Sequence, residues 1–147
     1  MIEQIIKEKI SADHLLYVSL KYTKTCDVII NLVYRWRSLI LLSLDEMIKH
    51  AKKKKLVKVI PAAPKPRIDK SKEIFKKQEA VLAAIELYDF FKNFEILKKE
   101  KEHEFRKNVN LKVFYKGAEI DINLEKLKEY AMIVENFISY VKHFLSS

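Results

Sequence analysis

The sequence predicts an all-α protein: a helical bundle built on two long antiparallel helices and a C-terminal helix, with one small β-hairpin at about residues 110–123. Three observations predict this fold. The chain has one Gly and three Pro among 147 residues, which leaves few sites for tight turns. Neither residue type occurs between Asp13 and Lys52, where most positions are apolar. The 49% apolar composition is enough for a hydrophobic core, and the length predicts a single domain over residues 1–147.

The stretch from Asp13 to Lys52 is predicted to form one central helix. Its polar residues recur every three, four or seven positions, which puts them on one narrow stripe of a helix: Lys21, Lys24, Asn31, Arg35, Ser38, Asp45, Lys49 and Lys52. A helix with so narrow a polar stripe is covered by neighbours on several sides. About 40 residues span roughly 60 Å, which is longer than a compact monomer of this size needs. The length therefore predicts either a partner, such as a second copy in a dimer, or a break, for example a bend around Ser38 to Ser43.

The segment before the central helix, Ile2 to Ile10, is predicted to be a separate short amphipathic helix, with Ser11 as the N-cap of the helix that follows. It alternates Ile with Glu and Lys, so it is not expected to be a signal peptide. No membrane span is expected either, because Arg35 and Arg37 would each cost about 2.5–3.5 kcal/mol inside a bilayer.

The single cysteine, Cys26, excludes an intramolecular disulfide and a Cys-based zinc cluster. Its place in the apolar helix predicts a small core residue rather than a nucleophile, and the scarcity of cysteine suggests a reducing, cytoplasmic setting. Abundant Lys, Glu and Ile are typical of heat-adapted proteins.

A basic connector at about residues 54–68 is predicted after the central helix, because Pro61, Pro64 and Pro66 cannot continue it. This end, residues 49–72, holds the densest positive charge of a chain whose net charge is +9. As a binding site it would contact phosphates through seven candidate residues: Lys52, Lys53, Lys54, Lys55, Lys58, Lys65 and Arg67. The alternative is a solvated helix end that complements the helix dipole, since no aromatic residues that could stack on bases lie among these lysines.

Two further helices are expected. The second long helix should begin at Asp69 or Ser71 and run to about Asn108, and its charged end, Lys98 to Lys107, should project into water or meet a partner. The final helix should be capped by Asn123 and run from Leu124 to about Leu145.

The segment NLKVFYKGAEIDIN, residues 110–123, is predicted to be a β-hairpin that turns at Lys116-Gly117. A two-residue turn fixes the register, which places three apolar pairs on one face: Tyr115 with Ala118, Val113 with Ile120, and Leu111 with Ile122. An isolated hairpin is marginal in water, so this face should dock on the helices or on another subunit.

No catalytic or cofactor motif is found in the sequence: there is no Gly-rich phosphate loop and no HExxH. Glu100 and His103 form one Glu-x-x-His, but a carboxylate-bridged metal site needs a second copy and further glutamates, so no metal is predicted. Polar residues that interrupt the central helix form a candidate cluster of His14, Lys21, Lys24 and Asp27. Such a cluster either binds a ligand or fixes helix register against a partner helix.

A long helical hairpin with a polar patch in its first helix resembles the HEPN-like bundles. The stretches ADHLLYVSLKYTKTCDVI (12–29) and IPAAPKPR (60–67) are similar to uncharacterised archaeal proteins of that type. The resemblance implies a small, often dimeric four-helix domain that is either an RNase or a companion of a nucleotidyltransferase. The catalytic signature of that superfamily has a His about five residues after an Arg; the nearest candidate, Arg106 in RKNVNLKVF, is followed by no His. The resemblance therefore implies a member without that RNase chemistry.

The sequence thus predicts a non-enzymatic helical bundle without cofactors, which self-associates as an interaction module, most simply as a dimer. The alternatives are a nucleic-acid-binding bundle that uses the basic end at residues 49–72, and a HEPN-like RNase or nucleotidyltransferase companion.

Overall fold

A computed structural model describes residues 2–147 and is broadly helical, with a small three-stranded antiparallel sheet. The α-helices are α1 (Ile2–His14), α2 (Leu20–Tyr22), α3 (Cys26–Lys53), α4 (Pro64–Ile74), α5 (Glu79–Phe91) and α6 (Leu124–Leu145). A π-helical segment (Leu15–Ser19) joins α1 to α2, and a 3₁₀ turn (Phe94–Ile96) follows α5. The strands are β1 (Lys99–Glu102), β2 (Asn110–Tyr115) and β3 (Ala118–Asn123). The prediction of an all-α fold with one hairpin was therefore too narrow, because the hairpin is part of a three-stranded sheet.

The predicted central rod is two antiparallel helices rather than one. A first helix runs without interruption from Ile2 to Tyr22, so the predictions of a separate N-terminal helix and of an N-cap at Ser11 were wrong. Three non-helical residues, Thr23–Thr25, then reverse the chain into α3. Glu8 of α1 forms an ion pair with Arg35 of α3 (3.5 Å), as expected for helices that pack side by side. The break removes the argument that a 60 Å rod requires a partner.

The π-helical segment has a packing cause. The fully buried positions of the first helix are Ile5 and Ala12, seven residues apart, and then Leu20, eight residues later. The amide of Leu20 bonds to the carbonyl of Leu15, five residues back, which absorbs the extra residue. A regular α-helix would keep the seven-residue step and would place the hydroxyl of Ser19, rather than Leu20, against the core.

The α3 helix is the centre of the bundle, and α1, α5 and α6 all pack against it. Most of its apolar side chains are buried, including Trp36, which lies 6.4 Å from Phe91 of α5 and 6.3 Å from Tyr130 of α6 between ring centroids. The predicted polar stripe is the exposed face, with Asn31, Arg35, Ser38, Lys49 and Lys52 open to solvent. The helix is uninterrupted through Ser38 to Ser43.

The predicted second long helix, from Asp69 or Ser71 to Asn108, is divided into α4, α5 and a strand. Pro64 occupies the first turn of α4, where its missing N–H costs nothing. The chain turns after α4 because Phe75 is buried, with its ring 5.0 Å from Phe144 and 6.1 Å from Tyr140. The charged stretch predicted to be a helix end instead contains β1, an edge strand whose charged side chains suit a solvent-facing edge.

The hairpin prediction is confirmed residue by residue: the strand pairing matches Leu111 to Ile122, Val113 to Ile120 and Tyr115 to Ala118. Lys116 and Gly117 both have positive φ (51° and 79°), as a type I′ turn requires. The prediction for the final helix is also confirmed, since the side-chain oxygen of Asn123 accepts a hydrogen bond from the amide of Lys126 (2.8 Å). Within residues 2–147, no helix is long and apolar enough to cross a bilayer.

Candidate nucleic-acid interface

The basic end of the bundle begins where α3 stops. The amide of Leu56 donates to the carbonyl of Ala51 (2.9 Å), and that of Lys55 donates to the carbonyl of Lys52 (3.0 Å). This pair of hydrogen bonds is a Schellman motif. Lys55 adopts the left-handed conformation (φ 63°) at the position where Gly is usual. The chain therefore reverses at Lys54 and Lys55 and spreads four consecutive lysines around the helix end.

Six of the seven predicted contact residues are exposed cations. None of the six ammonium groups forms an ion pair with a carboxylate in the part of the chain that the structure describes: Lys52, Lys53, Lys54, Lys55, Lys58 and Lys65. These six lysines carry the unpaired positive charge of the basic end. Neighbouring lysines differ, because Lys49, Lys70 and Lys72 have acidic partners in Glu46, Glu73 and Asp89.

The seventh predicted residue, Arg67, has a structural contact. Its Nε donates to the carbonyl of Pro61 (2.6 Å), and its Nη1 lies 3.4 Å from Oδ1 of Asp45 on α3. The guanidinium thereby holds the proline-containing connector against the central helix. It fixes the shape of the basic end instead of adding a free charge to it.

Two open grooves lie at this end. The first, about 500 Å³, is lined by Lys49, His50, Lys52, Lys53, Glu46, Ile60 and Leu145. The second, about 720 Å³, is lined by Leu56, Val57, Lys58, Val59, Pro61, Lys70, Glu73, Ile74 and Lys76. Sequence reasoning missed Lys76, because the predicted helix from Asp69 or Ser71 had no turn at this position. The burial of Phe75 creates that turn and brings Lys76 to the groove that contains Lys58.

Helix dipoles at this end oppose part of the positive charge. The C-terminus of α6 joins that of α3, since Nε2 of His50 lies 3.2 Å from the carbonyl oxygen of Ser147 and its ring packs 5.2 Å from Phe144. Each helix C-terminus carries about half a negative charge. Two such ends offset about one of the six unpaired ammonium charges, so the surface remains strongly positive.

The second candidate cluster is not one site. Lys21, Lys24 and Asp27 lie around the break between the first helix and α3, whereas His14 lies about two turns earlier, at the end of α1. Nζ of Lys24 donates to the carbonyl of Lys21 (2.6 Å), and Asp27 forms an ion pair with Lys101 of β1 (2.9 Å). These contacts lie at the break and join it to β1.

Cys26 opens α3 and is fully buried, which confirms the prediction of a core residue. Its Sγ donates to the carbonyl of Asn110 (3.3 Å), and burial raises the pKa of the thiol above its usual value. A buried thiol with a raised pKa is a poor nucleophile.

No family model, no curated protein and no solved structure matches the chain. The resemblance to HEPN-like bundles therefore remains a prediction; Arg106, its nearest catalytic candidate, lies in the exposed loop between β1 and β2. Among residues 2–147, no three His, Cys, Asp or Glu side chains are grouped in a way that could hold a metal ion.

Proposed function

We propose that this protein binds nucleic acid through its basic end, independently of sequence. The observation that carries the proposal is the set of six exposed lysines without acidic partners among residues 2–147, four of which lie consecutively at the Schellman turn of α3. An unpaired ammonium group on a solvated surface has no internal contact to give up when it meets a phosphate. Lysines that neutralise phosphates release condensed counterions, and this release drives binding.

The composition of the two grooves favours contact with the phosphate backbone over reading of bases. Their linings combine lysines with aliphatic residues, and Leu56 and Val59 are largely exposed (57% and 72%). Among the side chains that read duplex bases, Arg, Asn and Gln line neither groove, and the lysines that line both grooves also serve as phosphate contacts. Sequence-independent binding of a duplex is what such a surface would provide.

Fluorescence anisotropy with a labelled duplex, measured between 50 and 200 mM salt, tests the proposal. Each phosphate contact contributes a slope of about −0.9 to the plot of log affinity against log salt. The double variant Lys53→Glu, Lys54→Glu should weaken binding at least tenfold and make the slope shallower by roughly 2. The charge-matched control, Lys98→Glu with Lys116→Glu, alters two exposed lysines near the sheet and should have a much smaller effect. Equal losses in the two variants, or no binding by the unaltered protein, would reject the basic end as a binding site.

Self-association is a second proposal, supported by an apolar groove between the first helix and α6. Its volume is about 200 Å³, and it is lined by four apolar residues and three lysines: Leu16, Tyr17, Leu20, Leu124, Lys21, Lys24 and Lys128. Beside it, Ile10 and Met132 are 62% and 61% exposed. The occupant that we propose is a second copy of the chain.

Charge supports an antiparallel copy. Lys128 lies at one end of this face of α6, and Glu135, which pairs with Lys9 of α1 (2.6 Å), lies two turns further along. A two-fold axis across the groove would place Lys128 of each copy near the Lys9–Glu135 ion pair of the other, where Glu135 would be shared between two lysines. Sedimentation equilibrium should detect dimers that Met132→Glu abolishes and that Ile96→Glu, at an equally exposed apolar site elsewhere (81%), leaves intact. A monomer at millimolar concentration would refute self-association.

A further inference from the structure

A second surface lies at the opposite end of α3, about 40 Å from the basic end, given 28 residues at 1.5 Å each. Two large aromatic side chains are almost fully open to solvent there: Tyr22 is 79% exposed and Phe105 is 76% exposed. Neither ring packs against another aromatic ring among the residues that the structure describes. Isolated exposed apolar residues are common, but two bare aromatic rings beside one turn form an unusual apolar feature.

The backbone brings Tyr22 and Phe105 to the same turn. Tyr22 ends the first helix, immediately before the break at Thr23–Thr25. The amide of Phe105 donates to the carbonyl of Lys24 within that break (2.6 Å). Next to it, Oε2 of Glu104 accepts a hydrogen bond from the amide of Cys26 (3.2 Å) and caps α3. The loop between β1 and β2 is therefore tied to the break at Glu104 and at Phe105.

Local strain maintains this presentation. His103 and Phe105 both have positive φ (53° and 66°), a conformation that costs a residue with a Cβ about 1–2 kcal/mol. Positive φ at His103 and Phe105, but not at Glu104 between them, turns the carboxylate of Glu104 towards α3 and leaves the ring of Phe105 in solvent. Strained non-glycine residues in exposed loops concentrate at sites that hold a ligand.

Cationic residues are neighbours of both Tyr22 and Phe105 in the chain. Nζ of Lys21 lies 5.8 Å from the centroid of the Tyr22 ring, and Lys24 follows within the break. Arg106 and Lys107 are exposed directly after Phe105, and neither forms an ion pair within residues 2–147. Lys107 also lines a groove of about 480 Å³, together with Lys128, Asp121 and Glu125. Its two carboxylates oppose anions, but Asp121 already accepts a hydrogen bond from Asn110 (2.9 Å).

Aromatic rings interleaved with cations are the arrangement that binds unpaired bases and their phosphates together. We propose that this aromatic end binds single-stranded nucleic acid, with Tyr22 and Phe105 stacking on bases while Lys21, Lys24, Arg106 and Lys107 contact the backbone. The rings can stack only on bases that are not already stacked in a duplex. The site is separate from the basic end, so it holds even if the basic end binds nothing.

The test compares a labelled single-stranded oligonucleotide with a duplex of the same length, by fluorescence anisotropy on the full chain. Loss of one stacking ring weakens single-strand binding by roughly 5- to 100-fold. Tyr22→Ala and Phe105→Ala should each show this loss, with duplex affinity changed less than twofold. Tyr22→Phe should bind like the unaltered protein, because stacking needs the ring and not the hydroxyl. Both side chains are over three-quarters exposed, so the variants should keep the thermal midpoint of the parent.

Ile96→Ala removes an exposed apolar side chain (81%) elsewhere and should bind normally. Lys53→Glu with Lys54→Glu should lower duplex affinity. In that background Tyr22→Ala and Phe105→Ala should still weaken single-strand binding by the same factor, which separates the two surfaces. Single-strand binding that is unaffected by both alanine variants would overturn the proposal. So would a protein that ignores oligonucleotides but binds anionic phospholipid vesicles through these rings.

Discussion

Replacing Lys55 with Gly should stabilise the protein even though it removes a residue from the proposed binding surface. Lys55 occupies the left-handed position of the Schellman turn (φ 63°), which costs a residue with a Cβ about 1–2 kcal/mol relative to Gly. Gly also has more freedom in the unfolded chain, which offsets about 0.4–1 kcal/mol of that gain. The net expectation for Lys55→Gly is a free energy of unfolding higher by about 0.5–1 kcal/mol.

Lys52→Gly is the matched comparison, because it removes the same charge three residues earlier. Lys52 is exposed in the last helical turn of α3, where Gly costs up to about 1 kcal/mol. The two variants should therefore differ by about 1–2 kcal/mol in stability, with opposite signs relative to the parent. Their affinities for duplex DNA should fall by the same factor, since each loses one phosphate contact.

Urea unfolding followed by far-UV circular dichroism measures both free energies, provided that the denaturant slopes agree. Lys55→Ala supplies the control, because it removes the charge and keeps the Cβ, and it should leave stability close to that of the parent. A Lys55→Gly protein no more stable than Lys55→Ala would show that the residue is not left-handed in solution. The spreading of the four lysines around the end of α3 would then lose its structural basis.

Three further outcomes test the packing. Glu104→Ala removes the carboxylate that caps the amide of Cys26 and should cost about 1 kcal/mol; the buried thiol should then react faster with a disulfide reagent, and an unchanged rate would mean that the loop does not depend on this bond. Burial raises the pKa of Tyr130 to about 12, so the unfolded chain loses this proton first and the fold loses stability between pH 10 and 12. Tyr130→Phe should therefore retain roughly 1 kcal/mol more than the parent at pH 12, after allowance for partial exposure, and parallel pH curves would contradict this. Deletion of the exposed Val18 within the π-helical segment should restore the regular seven-residue step and cost little. Deletion of Lys7 in α1, which is also exposed, should instead rotate buried Ile5 out of the core and cost about 1.5–3 kcal/mol; equal thermal midpoints for the two deletions would refute the packing explanation.

The hairpin and α6 could be predicted because their signals are local. A two-residue turn at Lys116-Gly117 admits one register, and the alternation of apolar residues selects the same register independently. Asn123 lies directly before an amphipathic run, and it caps the helix through the amide of Lys126. Agreement between two local signals leaves little for distant contacts to decide.

The break between the first helix and α3 was missed because its polar residues fit both a helix break and the polar stripe of one longer helix. Lys21 and Lys24 lie at helical spacing with Asn31 and therefore extend the polar stripe of a longer helix. One contact at the break is local, since the hydroxyl of Thr25 accepts a hydrogen bond from the amide of Val28 (3.4 Å) and caps α3. Two others are remote in sequence, since Glu104 accepts from the amide of Cys26 and the amide of Phe105 donates to the carbonyl of Lys24. Helical periodicity is a local pattern and carries no information about a bond to a residue nearly eighty positions away.

The strand β1 was missed for a related reason. Its sequence, Lys99 to Glu102, alternates charges and has no apolar face, so neither a strand period nor a helix period is visible. The edge of β2 recruits it, and side chains then make the pairing specific: Asn110 bonds to Glu102 (2.8 Å), and Lys112 lies 3.8 Å from the same carboxylate. The candidate residues of the basic end were predicted from charge density alone, whereas the aromatic end required the loop that β1 positions.

Backbone strain in this protein coincides with the two proposed surfaces. Four residues other than Gly have positive φ within residues 2–147, and one of them, Lys116, belongs to the hairpin turn. The other three are Lys55 at the basic end, and His103 and Phe105 at the aromatic end. Gly would adopt these conformations at lower cost, yet Gly at Lys55 would remove a cation and Gly at Phe105 would remove a ring. If stability alone mattered, Gly at these positions would relieve the strain. A need for the cation at Lys55 and for the ring at Phe105 would explain why the strained side chains are present, and each is a proposed contact to the ligand of its surface.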